Sequence, residues 1–190
     1  MNILVSGGCK NGKSHFAQRL ARDMAAEQSR RLGRNAPLYY LATMRPADGE
    51  DRARIRRHVA EREGWGFTTV EKSEDIYGCL APSPGAEADP RGVFLLDSVT
   101  ALLSNEMFRA DGTVDLDAPR RVAEDLRRFA AATGSTVFVS DYIYSDAVFY
   151  EELTERYRKG LALADRTLAR ICDRVAEVAF GGVKWIKEDI

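Results

Sequence analysis

Residues 7–14 read Gly-Gly-Cys-Lys-Asn-Gly-Lys-Ser. The spacing is G-x-x-x-x-G-K-S, with Gly7, Gly12, Lys13 and Ser14 at the fixed positions. An apolar run, Ile3-Leu4-Val5, precedes it, and a helical pattern starts at Ser14. Strand, tight loop and helix N-terminus thus follow in the order that a phosphate-binding loop requires. Glycines let successive backbone N–H groups turn toward one point, and the helix dipole adds partial positive charge there. In such a loop Gly7, Gly8, Cys9, Lys10, Asn11, Gly12, Lys13 and Ser14 form the nucleotide cradle. Lys13 reaches the β- and γ-phosphates and the Ser14 hydroxyl meets Mg²⁺.

The rest of the chain alternates apolar runs with helical patterns. Strands are expected at Asn2–Ser6, Pro37–Ala42, Phe67–Glu71, Val93–Asp97, Thr136–Ser140, Val175–Phe180 and Val183–Lys187. Helices are expected at Lys13–Leu32, with Phe16, Leu20 and Met24 on one stripe, and at Glu50–Glu63, Val99–Arg109, Asp117–Ala132 and Phe149–Cys172, the last interrupted if at all near Gly160. Ser73-Glu74-Asp75 opens a short helix, Pro82–Gly92 is a surface loop, and Gly181-Gly182 turns a hairpin. The pattern predicts an α/β P-loop NTPase fold: a mostly parallel sheet covered by helices on both faces, with a C-terminal strand hairpin.

A chain of 190 residues, 45% apolar and 30% charged, fits one soluble domain spanning 1–190. The net charge of −1 predicts no broad pull toward nucleic acid or an acidic membrane surface. Cys9, Cys79 and Cys172 are odd in number, far apart and without C-x-x-C spacing, which argues against a disulfide framework and a zinc site and fits a reducing cytoplasm. No long apolar span is present, and the first residues read as a core strand rather than a leader.

Ligands in sheets of this kind bind at the carboxyl ends of the strands. Asp97 follows four apolar residues, where a P-loop site places the carboxylate that holds Mg²⁺; the same residue also suits a helix N-cap. Thr43 and Asp141 end two other strands, as site residues or as ordinary strand-end polarity. In the helix at Glu50–Glu63, Arg54, His58 and Arg62 share one row, with Ile55 and Val59 beside it as anchors. An imidazole between two guanidiniums is suited to a triphosphate, and the two charges would keep it neutral and nucleophilic. The same row also reads as a solvated basic face with an incidental histidine, as charge runs usually are. His15 is a packing or surface residue.

The cradle at Gly7–Ser14, the strand end Leu41-Ala42-Thr43, the run Arg54-Ile55-Arg56-Arg57-His58, Thr68-Thr69-Val70-Glu71 and Leu95-Leu96-Asp97 occur together in one family. The chain resembles, over nearly its whole length, the bifunctional adenosylcobinamide kinase / adenosylcobinamide-phosphate guanylyltransferases of cobalamin biosynthesis, as a divergent member. The resemblance implies a cytoplasmic homotrimer acting on a small-molecule corrinoid, with ATP and GTP as substrates. It implies phosphorylation of adenosylcobinamide, then transfer of GMP from GTP through a GMP–histidine intermediate. His58 matches the family's histidine. Nucleotide contacts carry over to Gly7–Ser14, Ala42, Thr43, Met44, Arg54, Arg62, Glu71 and Asp97; metal contacts to Ser14 and Asp97. The chain departs from the family where Asp97 replaces a usual glutamate, at Val59-Ala60-Glu61, and where Asp141-Tyr142-Ile143-Tyr144-Ser145-Asp146 replaces an Asn-Glu-Val-Gly loop. The alternative is a P-loop kinase of another small molecule without guanylyltransferase activity; a nucleotide-binding module without transfer is the non-enzymatic one.

Overall fold

The structure is a computed structural model that describes residues 1–46, 49, 59–60, 62–80 and 88–188. Its strands are β1 (Ile3–Gly7), β2 (Leu38–Ala42), β3 (Thr68–Glu71), β4 (Val93–Asp97), β5 (Thr136–Asp141), β6 (Arg174–Ala179) and β7 (Gly182–Lys187). Its α-helices are α1 (Lys13–Leu32), α2 (Val99–Met107), α3 (Ala118–Thr133) and α4 (Glu152–Ile171). The apolar runs pair into one seven-stranded sheet, ordered β3-β2-β4-β5-β1-β6-β7. β1 to β6 are parallel, and β7 alone returns antiparallel on β6.

Alternation along the strands divides the core in two. Leu4, Leu41, Phe94, Leu96 and Phe138 point to the face covered by α2, α3 and α4. Ile3, Val5, Tyr40, Leu95, Val137 and Val139 point to the face covered by α1. This is the expected architecture. The face of α1 is not the expected one: Ala17, Ala21 and Ala25 are buried, and Phe16, Leu20 and Met24 flank them only partly buried. Small residues let the helix axis approach the sheet, and the larger side chains fill the wedges on either side.

Several boundaries move. α4 begins at Glu152, three residues after the expected Phe149, which is 98% exposed. α4 runs through Gly160 without a break; a Cβ there would lie 2.8 Å from the Pro119 side chain, so the glycine permits the close crossing of α4 and α3. The hairpin turn is Phe180-Gly181, both at positive φ, and Gly182 already belongs to β7. The short helix after Ser73-Glu74-Asp75 is a single 3₁₀ turn, Ile76–Leu80. Of the helix expected over 50–63, Val59 and Ala60 are helical and a turn follows; the remainder lies outside the described residues, as do positions 81–87 of the expected loop. Val59 is 50% exposed and does not anchor that helix.

The stretch from Tyr142 to Glu151 is held by α4. Arg158, buried, ion-pairs with Asp146 and Glu155 and donates to the Val148 carbonyl at 3.1 Å. Its guanidinium lies 4.7 Å from the Tyr150 ring centroid. Two turns further on, Asp165 is buried and accepts from the Tyr144 hydroxyl at 2.8 Å. Burial, with the nearby charge of Asp141 adding to it, raises the Asp165 pKa. A carboxyl whose pKa is raised by folding stabilises the fold fully below its unfolded pKa of about 3.9, and that contribution is lost as pH rises through the folded value. Asp165→Asn keeps an acceptor for Tyr144 and removes the buried charge. Its melting temperature relative to the parent is expected to rise between pH 4 and pH 8. A gap that is the same at both pH values would refute this.

Candidate functional site

The loop after β1 turns as its sequence requires. Lys10 and Gly12 adopt left-handed φ of 56° and 92°, and Gly12 caps α1. The first turn of α1 has no acidic residue and Gly12 offers no side-chain cap, so the helix N-terminus keeps its positive character for an anion. Gly7 is required for a different reason: a Cβ on it would lie 2.3 Å from the Val178 carbonyl of β6. The same carbonyl accepts from the Asn11 side chain, which pins the loop across the strand end. Gly7→Ala is expected to cost about 1–3 kcal/mol, from overpacking, or roughly 2–12 °C in melting temperature. It is also expected to weaken nucleotide binding about tenfold or more by displacing Asn11. Thermal melts and nucleotide titration of the variant check both; a chain that binds nucleotide like the parent would show the loop to tolerate the shift.

Lys13 is buried under this loop, 5% exposed. Its ammonium donates to the Gly8 carbonyl at 2.6 Å and lies 3.5 Å from Asn11 Oδ1. It also makes an ion pair with Asp141 Oδ1 at 2.6 Å. Sheet order explains this pair between residues 128 apart: β5 lies beside β1, with Gly7 opposite Asp141. The sequence offered Asp141 only as one strand-end residue among several, with no local signal to single it out.

The other predicted contacts line up on one rung. Glu71 and Asp97 both stand opposite Ala42, on the two sides of β2. Alternation puts Ala42, Glu71, Asp97 and Asp141 on the α1 side of the sheet, with the phosphate loop. β4 lies two strands from β1, about 10 Å away. Asp97 is not the cap of α2. That role belongs to Ser98, whose hydroxyl accepts from the Ala101 N–H at 3.2 Å. The Asp97 carboxylate instead accepts from the Tyr40 hydroxyl at 3.0 Å.

Arg62 is also brought to this face. It is 6% exposed, its guanidinium is stacked 3.5 Å from the Tyr40 ring centroid, and its Nη1 is buried without a hydrogen-bond partner. Arg62 lines a cavity of about 840 Å³ together with Val59, Glu63, Gly66, Phe67 and Thr69. That volume is within the usual range for small-molecule sites. Thr43 plays a different part. It is fully buried; its hydroxyl donates to the Ser98 carbonyl at 2.8 Å and accepts from the Ser98 N–H at 2.7 Å. Its own carbonyl accepts from the Asn105 side chain at 2.7 Å. Thr43 therefore ties the ends of β2 and β4 together. Met44 follows it, partly buried. Cys9 is exposed, and His15 is exposed against the edge of Trp65, with ring centroids 5.7 Å apart. His58 and Arg54 lie outside the described residues.

Among the described residues no three His, Cys, Asp or Glu side chains cluster as a metal cage. The oxygen donors on the phosphate-loop side, the Asp97 carboxylate and the Ser14 hydroxyl, are of the hard type that magnesium takes when phosphates and water supply most of its ligands. No helix among the described residues is long and apolar enough to cross a membrane.

A glycine cradle over a buried lysine, at the carboxyl end of a parallel sheet with helices on both faces, defines a P-loop nucleotide-binding protein. Residues 3–184 match the model of the family described as cobinamide kinase / cobinamide phosphate guanyltransferase, and the chain belongs to that family. It is thus an enzyme of the phosphotransferase and nucleotidyltransferase type, in cobalamin biosynthesis. It is similar to the bifunctional adenosylcobalamin biosynthesis protein CobU of Escherichia coli K12, at 33% identity over 97% of this chain and 99% of that protein. It is similar to CobP of Pseudomonas aeruginosa, at 29% identity over 95% of this chain and 94% of that one. CobU of Salmonella typhimurium is 26% identical over 97% of this chain and 99% of its own length.

Proposed function

We propose that the chain phosphorylates the aminopropanol hydroxyl of adenosylcobinamide with a nucleoside triphosphate, ATP or GTP. It then transfers GMP from GTP to that phosphate through a GMP–histidine intermediate on His58, giving adenosylcobinamide-GDP and pyrophosphate. It acts as a single transferase domain over residues 1–190, in the cytoplasm, as a homotrimer, and on small molecules rather than nucleic acid.

The observation that carries this reading is the convergence on one face of the Lys13 ammonium, the Asp97 and Glu71 carboxylates and the Arg62 guanidinium. The loop N–H groups and Lys13 bind and orient the β- and γ-phosphates and stabilise the charge that develops on them. Ser14 and Asp97 would hold Mg²⁺, which supplies charge neutralisation at the phosphates when bound. Tyr40 fixes the Asp97 carboxylate on one side and carries Arg62 on its ring. Arg62 Nη1 is a donor awaiting an acceptor, as phosphate oxygen or a guanine edge would provide. Thr43 supports the site by holding two strand ends in register.

Two steps with one nucleophile between them explain why a chain of this size needs both a cradle and a histidine. Attack of the imidazole at the α-phosphorus expels pyrophosphate, and the corrinoid phosphate then displaces the imidazole. Incubation with α-labelled GTP is expected to leave label on the denatured protein, labile in acid and stable in base. γ-Labelled GTP is expected to leave none. A parent chain that takes up no α-label, while turning over cobinamide to its phosphate, would reduce the activity to that of a small-molecule kinase.

A further inference from the structure

Asp141 stands beside the phosphate cradle and has no part in the two-carboxylate scheme above. Two contacts fix it, and a third braces one of them. Its N–H donates to Thr100 Oγ1 at 2.9 Å, Thr100 in turn holds the Tyr157 hydroxyl on its carbonyl at 2.8 Å, and Oδ1 takes the Lys13 ammonium at 2.6 Å. The Asp141 side chain is 27% exposed while that of Lys13 is 6% exposed, so the carboxylate lies on the open side of the pair. Asp97, by contrast, is committed to Tyr40 two strands away from β1.

We propose that Asp141 is the general base of the phosphoryl-transfer step, acting on an alcohol acceptor. This rests on the kinase half of the proposed function. A lysine that touches both the carboxylate and the γ-phosphoryl oxygens sets the distance between them. An acceptor hydroxyl needs about 2.6–3.2 Å to its base and about 3–3.5 Å to the phosphorus it attacks, so base and phosphorus must be no more than about 6 Å apart. Two groups bridged by one ammonium meet that requirement. In the step, the hydroxyl proton passes to the Asp141 carboxylate and the hydroxyl oxygen bonds to the γ-phosphorus. The bond from that phosphorus to the bridging oxygen breaks, and the nucleoside diphosphate leaves. Lys13 serves the phosphoryl oxygens and holds the base in place.

The second half of the reaction needs no such base. Its nucleophile is a phosphate oxyanion, already free of its proton. Asp141 therefore separates the two activities. Asp141→Asn keeps an acceptor for Lys13 but cannot take up the proton. Its kcat for phosphorylating cobinamide is expected to fall about 10²–10⁴-fold. Labelling of the protein by α-labelled GTP, and guanylyl transfer to cobinamide phosphate supplied ready-made, are expected to stay within about threefold of the parent. Asp141→Glu, read in the same three assays, is expected to regain part of the lost rate. Phosphorylation at the parental rate in Asp141→Asn would overturn the assignment. So would a loss shared equally by all three assays, which would make Asp141 only a positioning partner of Lys13. A parent that labels with GMP but phosphorylates no cobinamide would remove the kinase reading and this assignment together, whereas a parent that phosphorylates without labelling would leave the Asp141 test intact.

Discussion

A Lys13→Ala chain is expected to lose both transfers at once, by about 10³-fold in kcat for each. The size follows from where the ammonium sits. It is 5% exposed, under a loop whose other contributions are backbone dipoles, so its charge acts in a medium that screens poorly. Its present partners are the Gly8 carbonyl, the Asn11 amide oxygen and the Asp141 carboxylate. Removing it leaves the loop N–H groups to hold the triphosphate, so binding is expected to weaken less than catalysis. Lys13→Arg is not expected to restore the rate, because a planar guanidinium cannot replace a compact ammonium between the Gly8 carbonyl and Asp141. The fold should tolerate the alanine. The partner left behind, Asp141, is partly exposed and can be solvated, so a shift in melting temperature of only a few degrees is expected. Single-turnover assays with γ-labelled and α-labelled GTP measure the two losses separately. A variant that loses only one transfer would show that the second nucleotide reaction uses a different phosphate site.

What could be read without coordinates was local. The cradle is legible because every residue it needs lies within eight positions, and the structure places Gly12 and Lys10 at the left-handed φ such a turn requires. The buried parallel strands are legible because strands covered on both faces are apolar throughout, as Val93-Phe94-Leu95-Leu96 shows. Asp97 was ambiguous between cap and ligand, because both roles fall at a strand-to-helix junction. The structure separates them by one residue, giving the cap to Ser98. The buried face of α1 is not legible, because hydrophobic periodicity favours Phe16, Leu20 and Met24 over alanines, whereas close helix–sheet contact favours Ala17, Ala21 and Ala25. Pairings set by sheet order left no trace in the sequence. Nothing near Asp141 says that β5 is the neighbour of β1, and nothing near Arg62 says that it stacks on Tyr40. The loop from Asp141 to Asp146 has no glycine or proline to mark it, yet Arg158 holds it from twelve residues further on.

Replacing His58 by alanine is expected to divide the chain's chemistry rather than to end it. A covalent nucleophile has no substitute in its own step, so GMP labelling of the protein should vanish and conversion of cobinamide phosphate to the GDP adduct should fall by about 10⁴-fold or more. The γ-phosphoryl step passes through no protein adduct. It depends on the cradle, Lys13 and the strand-end carboxylates, all of which His58→Ala keeps. The variant should therefore phosphorylate cobinamide at close to the parental rate and accumulate cobinamide phosphate. Free imidazole should restore part of the guanylyl transfer, because it returns the missing nucleophile without its tether. Chromatography of the corrinoid products over time distinguishes the outcomes. Accumulated phosphate with no adduct supports the two-step scheme. A GDP product made at the parental rate would mean that the corrinoid phosphate attacks GTP directly, and that His58 has no covalent role.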